Sequence, residues 1–167
     1  NMSQNSSWRK KRKETKMKFI FVLDQKNGVM FNHRRQSFDQ AIIKKVVEGV
    51  NEVEGRLWLS DYSKELFASY DVNTMPLEEF ELTKVNDNDA VYVENIDVDL
   101  EAMIADKEIS VELNFYRWDK VYPSDKKMIF TKELLDAFFV KDSYELSGET
   151  HDVISVEVWE KQENKGG

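Results

Sequence analysis

The strongest constraint on the fold of this chain is the run KFIFVL, which occupies residues 18–23. Five consecutive apolar residues, rich in aromatic and β-branched side chains, are typical of a strand that is buried on both faces. Such a strand needs a packing layer above it and another below it. The run therefore predicts a central position in a covered sheet, and it is far too short to span a membrane.

The residues after this run predict an alternation of strands and helices. Apolar residues recur at three- and four-residue steps in 38–50, which predicts an amphipathic helix with Ser37 as its N-cap. Residues 56–59 and 90–93 are short apolar runs that predict two further strands. A helix is expected after each of them, to about residue 70 and to about residue 104. This order favours a largely parallel sheet.

The last third of the chain has a different pattern. Residues 109–118 have strand propensity, and Thr131 can cap a helix. Residues 139–146 and 153–160 predict two strands joined through Ser147 and Gly148, and hence an antiparallel hairpin at the sheet edge, with the last strand outermost. Residues 17–161 are therefore predicted to form one α/β domain: a three-layer sandwich whose mixed, mostly parallel sheet ends in a C-terminal antiparallel hairpin.

The two ends of the chain are expected to lie outside this domain. Residues 9–13 are all lysine or arginine. Residues 1–16 are predicted to be a disordered basic arm, or an extension ahead of a natural start at Met17, and residues 162–167 a disordered tail. The formal net charge of −8 disfavours a general nucleic-acid-binding surface. Contact with nucleic acid is therefore expected only through the arm.

Composition excludes several kinds of chemistry. The chain contains no cysteine, which excludes disulfide scaffolds, thiolate zinc sites and cysteine nucleophiles. This fits a reducing cytoplasm, which is the predicted location. Its two histidines, His33 and His151, accompany no G-x-S-x-G motif, so the sequence offers no support for acyl transfer.

Several short segments, in order, resemble the dihydrofolate reductase family. Residues 119–123, DKVYP, are similar to its D-x-x-F/Y-P segment, and residues 156–161, VEVWEK, to its closing strand. Ile109-Ser110 stands where the family has Leu-Thr, and His151 lies one residue from the family's histidine. The resemblance covers residues 18–161 and implies the reductase fold, with Asp39 at the position of the substrate-binding acid.

Three departures from this family concern its cofactor-binding loops. Residues 59–63, LSDYS, replace Met-Gly-Arg-x-Thr, and Glu94-Asn95 replace a Gly-Gly pair that lets the dinucleotide approach. Residues 31–36, FNHRRQ, lack the family's Leu-Pro-Trp. The resemblance is thus to a degenerate form of the fold, which implies the loss of nicotinamide binding. No cofactor is expected.

The chain also resembles a group of short bacterial proteins that carry the name ribonuclease Z. That name implies a dinuclear zinc hydrolase built around H-x-H-x-D-H. His33 and His151 do not form such a motif, so the residues do not support that activity.

The residues identify two candidate groups of ligand-binding side chains. His33, Arg34 and Arg35 precede the first helix and could hold an anion, or they could form an exposed loop that pairs with acids. Glu94 and Asn95 follow the third strand, where the ligand crevice of a parallel sheet is expected.

Further side chains are expected near the same crevice. Asp39 and Asp61 should reach it, and with Asp97 and Asp99 they could hold Mg²⁺ or Mn²⁺, although helix capping is the commoner role of such acids. No metal site is predicted. Trp118 could stack a flat ligand or simply pack in the core.

Together these observations predict a non-catalytic binding or regulatory module. Its ligand is expected to be an anionic small molecule or a protein partner, and an exposed edge strand would allow a homodimer. The alternative is a metal-dependent phosphate-ester hydrolase or nuclease that uses the crevice acids. No contact with a membrane is expected.

Overall fold

A computed structural model describes residues 15–162. It contains two sheets and three α-helices, joined by short 3₁₀ turns. The strands are β1 (Thr15–Leu23), β2 (Gly28–Phe31), β3 (Arg34–Arg35), β4 (Leu57–Leu59), β5 (Thr74–Pro76), β6 (Asp89–Tyr92), β7 (Ile109–Trp118), β8 (Lys126–Lys127), β9 (Phe138–Leu146) and β10 (Ile154–Lys161). The helices are α1 (Gln40–Glu52), α2 (Leu100–Ala105) and α3 (Lys132–Ala137).

The central strand is β1, as its sequence predicts. It pairs in parallel with β6 on one side and with β7 on the other. The main sheet has the order β5-β4-β6-β1-β7-β10-β9, and only the pairings of β10 are antiparallel. This confirms the mixed, mostly parallel sheet with a C-terminal antiparallel hairpin. Strand β1 begins at Thr15, two residues before the predicted start of the domain; residues 1–14 and 163–167 lie outside the described part of the chain.

Helix α1 covers one face of the sheet. Asp39 is its N-cap, because the Asp39 carboxylate accepts a hydrogen bond from the N–H of Ala41. The predicted cap, Ser37, lies two residues too early. The apolar stripe of the helix packs on Ile20, Tyr92, Tyr116 and Trp118 of the sheet. The buried residues of this stripe are Ile42, Ile43, Val46, Val47 and Val50.

The opposite face of the sheet carries a second apolar core. Met17, Phe19, Phe21 and Leu23 of β1 point to this side, since successive side chains of a strand alternate between faces. Helices α2 and α3 and the 3₁₀ turn at Leu77–Glu79 cover it. The two cores confirm the three-layer sandwich. No helix within residues 15–162 is long and apolar enough to cross a membrane.

Two further predicted details are wrong. The helix expected to run to residue 70 is only a 3₁₀ turn, Lys64–Phe67, because the Ser60 and Ser63 hydroxyls bond to each other and Ser63 also donates to Glu94. The order of the final hairpin is also reversed. Strand β10 lies inside, where Ile154 and Val156 are buried, and the mostly exposed β9 forms the edge.

A three-stranded sheet, β3-β2-β8, lies over the carboxyl end of β1 and has no counterpart in the sequence predictions. Gly28 starts β2 at a close approach, because a Cβ atom there would lie 2.5 Å from the Gln36 side chain and 2.6 Å from Asp24. The buried carboxylate of Asp24 accepts hydrogen bonds from the N–H groups of Lys26 and Gly28. This turn positions β2 and β3 beside the crevice.

Candidate functional site

The expected crevice exists at the carboxyl ends of β1, β6 and β7, but it is nearly filled. Its cavity is about 20 Å³ and is lined by Arg35, Ser37, Asp39, Glu94 and Trp118 among others. A water molecule needs roughly 10–15 Å³ by this measure, whereas ligand pockets have volumes of roughly 300–1,000 Å³. The crevice in this conformation therefore has room for about one water molecule.

Asp39 is buried in this crevice and is bound by the loop between β9 and β10. Its carboxylate accepts hydrogen bonds from the N–H groups of Glu149, Thr150 and His151, at 2.9, 2.9 and 3.0 Å. Gly148 permits this approach, since a Cβ there would lie 2.5 Å from Oδ2 of Asp39. The acid that the resemblance assigns to substrate binding is thus occupied by donors of the chain itself.

These donors also determine the charge of Asp39. Burial alone raises the pKa of this carboxyl group. The hydrogen bonds from the Glu149 backbone, the His151 ring and the N–H groups of Ala41 and Thr150 outweigh that effect and hold the pKa well below its usual range. Asp39 is consequently a carboxylate at neutral pH.

His151 connects Asp39 to two hydroxyl groups. Nδ1 of its ring lies 2.9 Å from Oδ2 of Asp39, while Nε2 lies 2.9 Å from Oγ of Ser37 and 3.2 Å from the Tyr122 hydroxyl. The ring stacks on Trp118 at a centroid distance of 4.2 Å. Trp118 is only 2% exposed, so it packs in the core beneath His151 rather than offering an open face to a ligand.

Arg35 and Glu94 form a second polar pair in the crevice. Nε and Nη2 of Arg35 donate to the two carboxylate oxygens of Glu94, at 2.7 and 2.9 Å, and Ser63 donates to the same carboxylate. The Tyr62 ring lies 4.5 Å from the guanidinium carbon. The hydrogen bond to Glu94 raises the pKa of Arg35. The charge of Arg35 is therefore largely compensated inside the protein.

The remaining predicted ligand residues lie outside the closed part of the crevice. His33 and Arg34 are exposed at the β2–β3 turn, where Asn32 and His33 have positive φ angles of 55° and 63°. Asn95 is exposed after β6, with φ 57°. The structure thus brings together Arg35, Asp39, Glu94 and Trp118, and leaves His33, Arg34 and Asn95 at the surface.

Two of the acids expected near a metal ion have separate partners. Asp99 caps α2 through the N–H of Ala102, and Asp97 lies 3.3 Å from the Lys126 ammonium group. Within the described residues, no three His, Asp or Glu side chains are grouped so as to hold a metal ion. The predicted capping role of Asp99 is confirmed, since its side chain accepts at the start of α2.

A pocket larger than the crevice cavity lies on the other face of the sheet, beside α2. Its volume is about 290 Å³, and most of its lining is apolar. Asp97 and Lys126 also line it. The apolar lining includes Phe21, Val93, Leu100, Met128 and Leu134.

The sequence does not identify Ser37 and Tyr122 as partners of His151. Its local pattern indicates only a helix cap at Ser37 and a family-like segment at residues 119–123. The one available signal was the position of His151 in the loop before the last strand. Its contact with residues near the start of α1 depends on the order of the hairpin, which local patterns do not reveal.

Comparison with known proteins identifies a likeness of fold. No protein-family model and no curated protein sequence matches this chain. Among solved structures, the chain is similar to dihydrofolate reductase from Enterococcus faecalis complexed with NADP(H) and RAB-propyl, with a TM-score of 0.57 and 8% sequence identity. The match covers 90% of this chain and 99% of that chain. At this identity the likeness concerns the fold alone, and it shows that the chain has a dihydrofolate reductase-like fold.

Proposed function

We propose that this chain is a binding module that recognises an anionic segment of a protein partner through the β2–β3 turn. The observation that carries the proposal is the difference between two adjacent arginines. Arg35 is paired with Glu94, whereas the exposed Arg34 has no ion-pair partner among residues 15–162. An unpaired guanidinium group at the surface is suited to binding a carboxylate or phosphate.

The state of the crevice favours a surface ligand over an enclosed small molecule. The cavity of about 20 Å³ cannot admit a pteridine or a dinucleotide. The Asp39 carboxylate already receives hydrogen bonds from the loop at residues 149–151. Glu94 adds a carboxylate where the resemblance implies the approach of a dinucleotide. These features argue against nicotinamide-dependent reduction.

The surface around Arg34 combines charge with an apolar group. Phe31 lies directly opposite Arg34 in the β2–β3 pairing, so the two side chains share a face, and Phe31 is 47% exposed. The exposed Lys127 lies on β8, on the other side of β2. The nearby Asp125 carboxylate accepts a hydrogen bond from the N–H of Asn32. An exposed aromatic ring beside arginine is a composition enriched in protein interfaces.

Charge reversal at Arg34 tests this proposal. We expect Arg34→Glu to weaken the capture of acidic proteins from a lysate of the source cells at least tenfold. Because the contact is electrostatic, capture by the parent chain should also decline with added salt. Lys107→Glu is the matched control, because it makes the same charge change at an exposed side chain that has no ion-pair partner among residues 15–162, just before the amino end of β7. The proposal fails if the two variants bind equally well.

A thermal-shift comparison with NADPH and a pteridine tests the assumption of a closed crevice. We expect neither compound at millimolar concentration to raise the melting temperature of the chain, because the cavity must open before either can bind. A rise of several degrees with NADPH would return the site to the crevice and contradict surface recognition. The metal-dependent hydrolase alternative gains no support from the acids within residues 15–162, since no three of them are grouped around a possible metal ion and Asp97 and Asp99 have separate partners.

A further inference from the structure

We infer that Ser37 is an acyl nucleophile, with His151 as its general base and Asp39 as the positioning residue, in a site that cleaves small carboxylic esters. This inference goes beyond the proposed binding function and does not depend on the β2–β3 turn. It rests on three side chains that are distant in sequence and connected by hydrogen bonds in the structure.

The geometry matches that required of a serine activated by histidine. Oγ of Ser37 lies 2.9 Å from Nε2 of His151, and Nδ1 of the same ring lies 2.9 Å from Oδ2 of Asp39. A carboxylate beside Nδ1 favours the tautomer with its proton on Nδ1. Nε2 then has a lone pair that can accept the Ser37 proton. The stacked Trp118 ring holds the imidazole in this orientation.

The position of Ser37 suits nucleophilic attack. The residue is half-buried and lines the crevice cavity, so one side of it can meet a small molecule. It lies two residues before the N-cap of the 13-residue helix α1. The Asp39 carboxylate caps that N-terminus, so the helix places Ser37 beside the Asp39–His151 pair rather than supplying uncompensated positive charge to an oxyanion. Because the cavity of about 20 Å³ has room for about one water molecule, it can take no more than the methyl of an acetyl group, and the rest of the ester has to lie on the exposed side of Ser37.

The reaction is a two-step transfer. Oγ of Ser37 attacks the ester carbonyl carbon while His151 takes the hydroxyl proton on Nε2. The tetrahedral intermediate then expels the alcohol, which receives that proton, and an acetylated Ser37 remains. Water, deprotonated by His151, attacks the acyl carbon, the bond from that carbon to Oγ of Ser37 breaks, and Oγ takes the proton back from His151. The product is acetic acid, which ionises to acetate in solution. The ester and water are the only reactants.

Tyr122 offers a second hydroxyl to the same nitrogen and allows a distinguishing variant. Its hydroxyl lies 3.2 Å from Nε2, farther than Ser37, and both compete for one acceptor lone pair. If His151 serves Ser37, Tyr122→Phe should leave Ser37 at least as reactive as before. If His151 has only a structural role, in which it holds the β9–β10 loop against the core, we expect no reactivity at Ser37 either with or without the Tyr122 hydroxyl.

The first experiment uses an ethoxy fluorophosphonate probe on the purified full chain, followed by peptide mapping. We expect one adduct, on Ser37, which is absent from the Ser37→Ala variant and retained by Ser110→Ala, a half-buried serine on β7.

Hydrolysis of p-nitrophenyl acetate should fall at least 100-fold in Ser37→Ala. Hydrolysis of p-nitrophenyl hexanoate should be slow even in the parent chain, because the cavity is too small for its acyl chain. His33→Ala controls for ester cleavage by the exposed imidazole.

A cysteine variant gives a readout that does not require turnover. The chain has no cysteine, so Ser37→Cys carries its only thiol. We expect iodoacetamide to alkylate this thiol at pH 7 at least tenfold faster than the thiol of Ser110→Cys, and the advantage to disappear in Ser37→Cys/His151→Gln. Failure to modify Ser37 in the folded parent chain, or equal alkylation rates for the two thiols, would overturn the inference.

Discussion

Replacing Asp39 by asparagine is expected to lower the free energy of unfolding by about 3 kcal/mol at pH 7, with urea denaturation as the measurement. The carboxylate accepts hydrogen bonds from Ala41, Thr150 and the His151 ring, among other groups. An amide has a single acceptor oxygen and presents an N–H₂ group to the remaining donors. Buried N–H groups of the β9–β10 loop would then lack partners, and we expect the loop to separate from α1.

The effect of this substitution should depend on pH. The pKa of Asp39 is lower in the folded chain than in the unfolded chain, where it is about 4. Its ionised form therefore contributes stability above about pH 4, and that contribution is lost as the pH falls through the lower, folded-state value. The stability difference between the parent chain and Asp39→Asn should consequently shrink below pH 4.

The exposed Asp61 provides a control, Asp61→Asn, whose effect on the free energy of unfolding should be within about 0.5 kcal/mol of zero. A difference that stays constant from pH 7 to pH 3 would contradict this account.

Removing Arg35 alone is expected to destabilise the chain by about 2–3 kcal/mol, because Glu94 would stay in the crevice without its cation. The Glu94 side chain is 11% exposed, and Ser63 would be its only remaining hydrogen-bond donor among the described contacts. The double variant Arg35→Gln/Glu94→Gln should lose less stability than the sum of the two single variants. A coupling energy of at least about 1 kcal/mol is expected from the cycle.

An exposed ion pair gives the matched comparison for this cycle. Glu81 and Lys84 approach within 3.3 Å, but their side chains are 64% and 50% exposed. Solvent screens such a pair, so its coupling should be much smaller than that of Arg35 and Glu94. Equal coupling in the two cycles would mean that Arg35 and Glu94 are solvated and that the crevice is open in solution. Such a result would remove the main argument for recognition at the surface.

Part of the site could be predicted from the sequence because strand ends in a parallel sheet meet at one edge. Glu94 and Trp118 each close or follow a predicted strand, and Asp39 precedes a predicted helix, so their common location follows from topology. Their partners could not be predicted. Arg35 pairs with a residue 59 positions away, and local patterns carry no information about such a pairing.

The β9–β10 hairpin shows what a local sequence pattern can predict and what it cannot. The local pattern predicts two strands, at residues 139–146 and 153–160, but it does not say which of them contacts β7. The structure places β10 inside because Ile154 and Val156 pack against the core that α1 covers. The β9–β10 loop consequently reaches the start of α1.

The amino-acid sequence by itself determined the central strand β1, the amphipathic helix α1, the alternation that produces a parallel sheet, and the absence of any cysteine chemistry. These properties depend on residue type and on spacing within about ten positions. The tertiary structure alone decided that Asp39 is bound by the loop rather than open to a ligand, and that His151 lies between Asp39 and Ser37. Those contacts join residues 112 and 114 positions apart, so they arise only when the packed sheet brings the β9–β10 loop against the first helix.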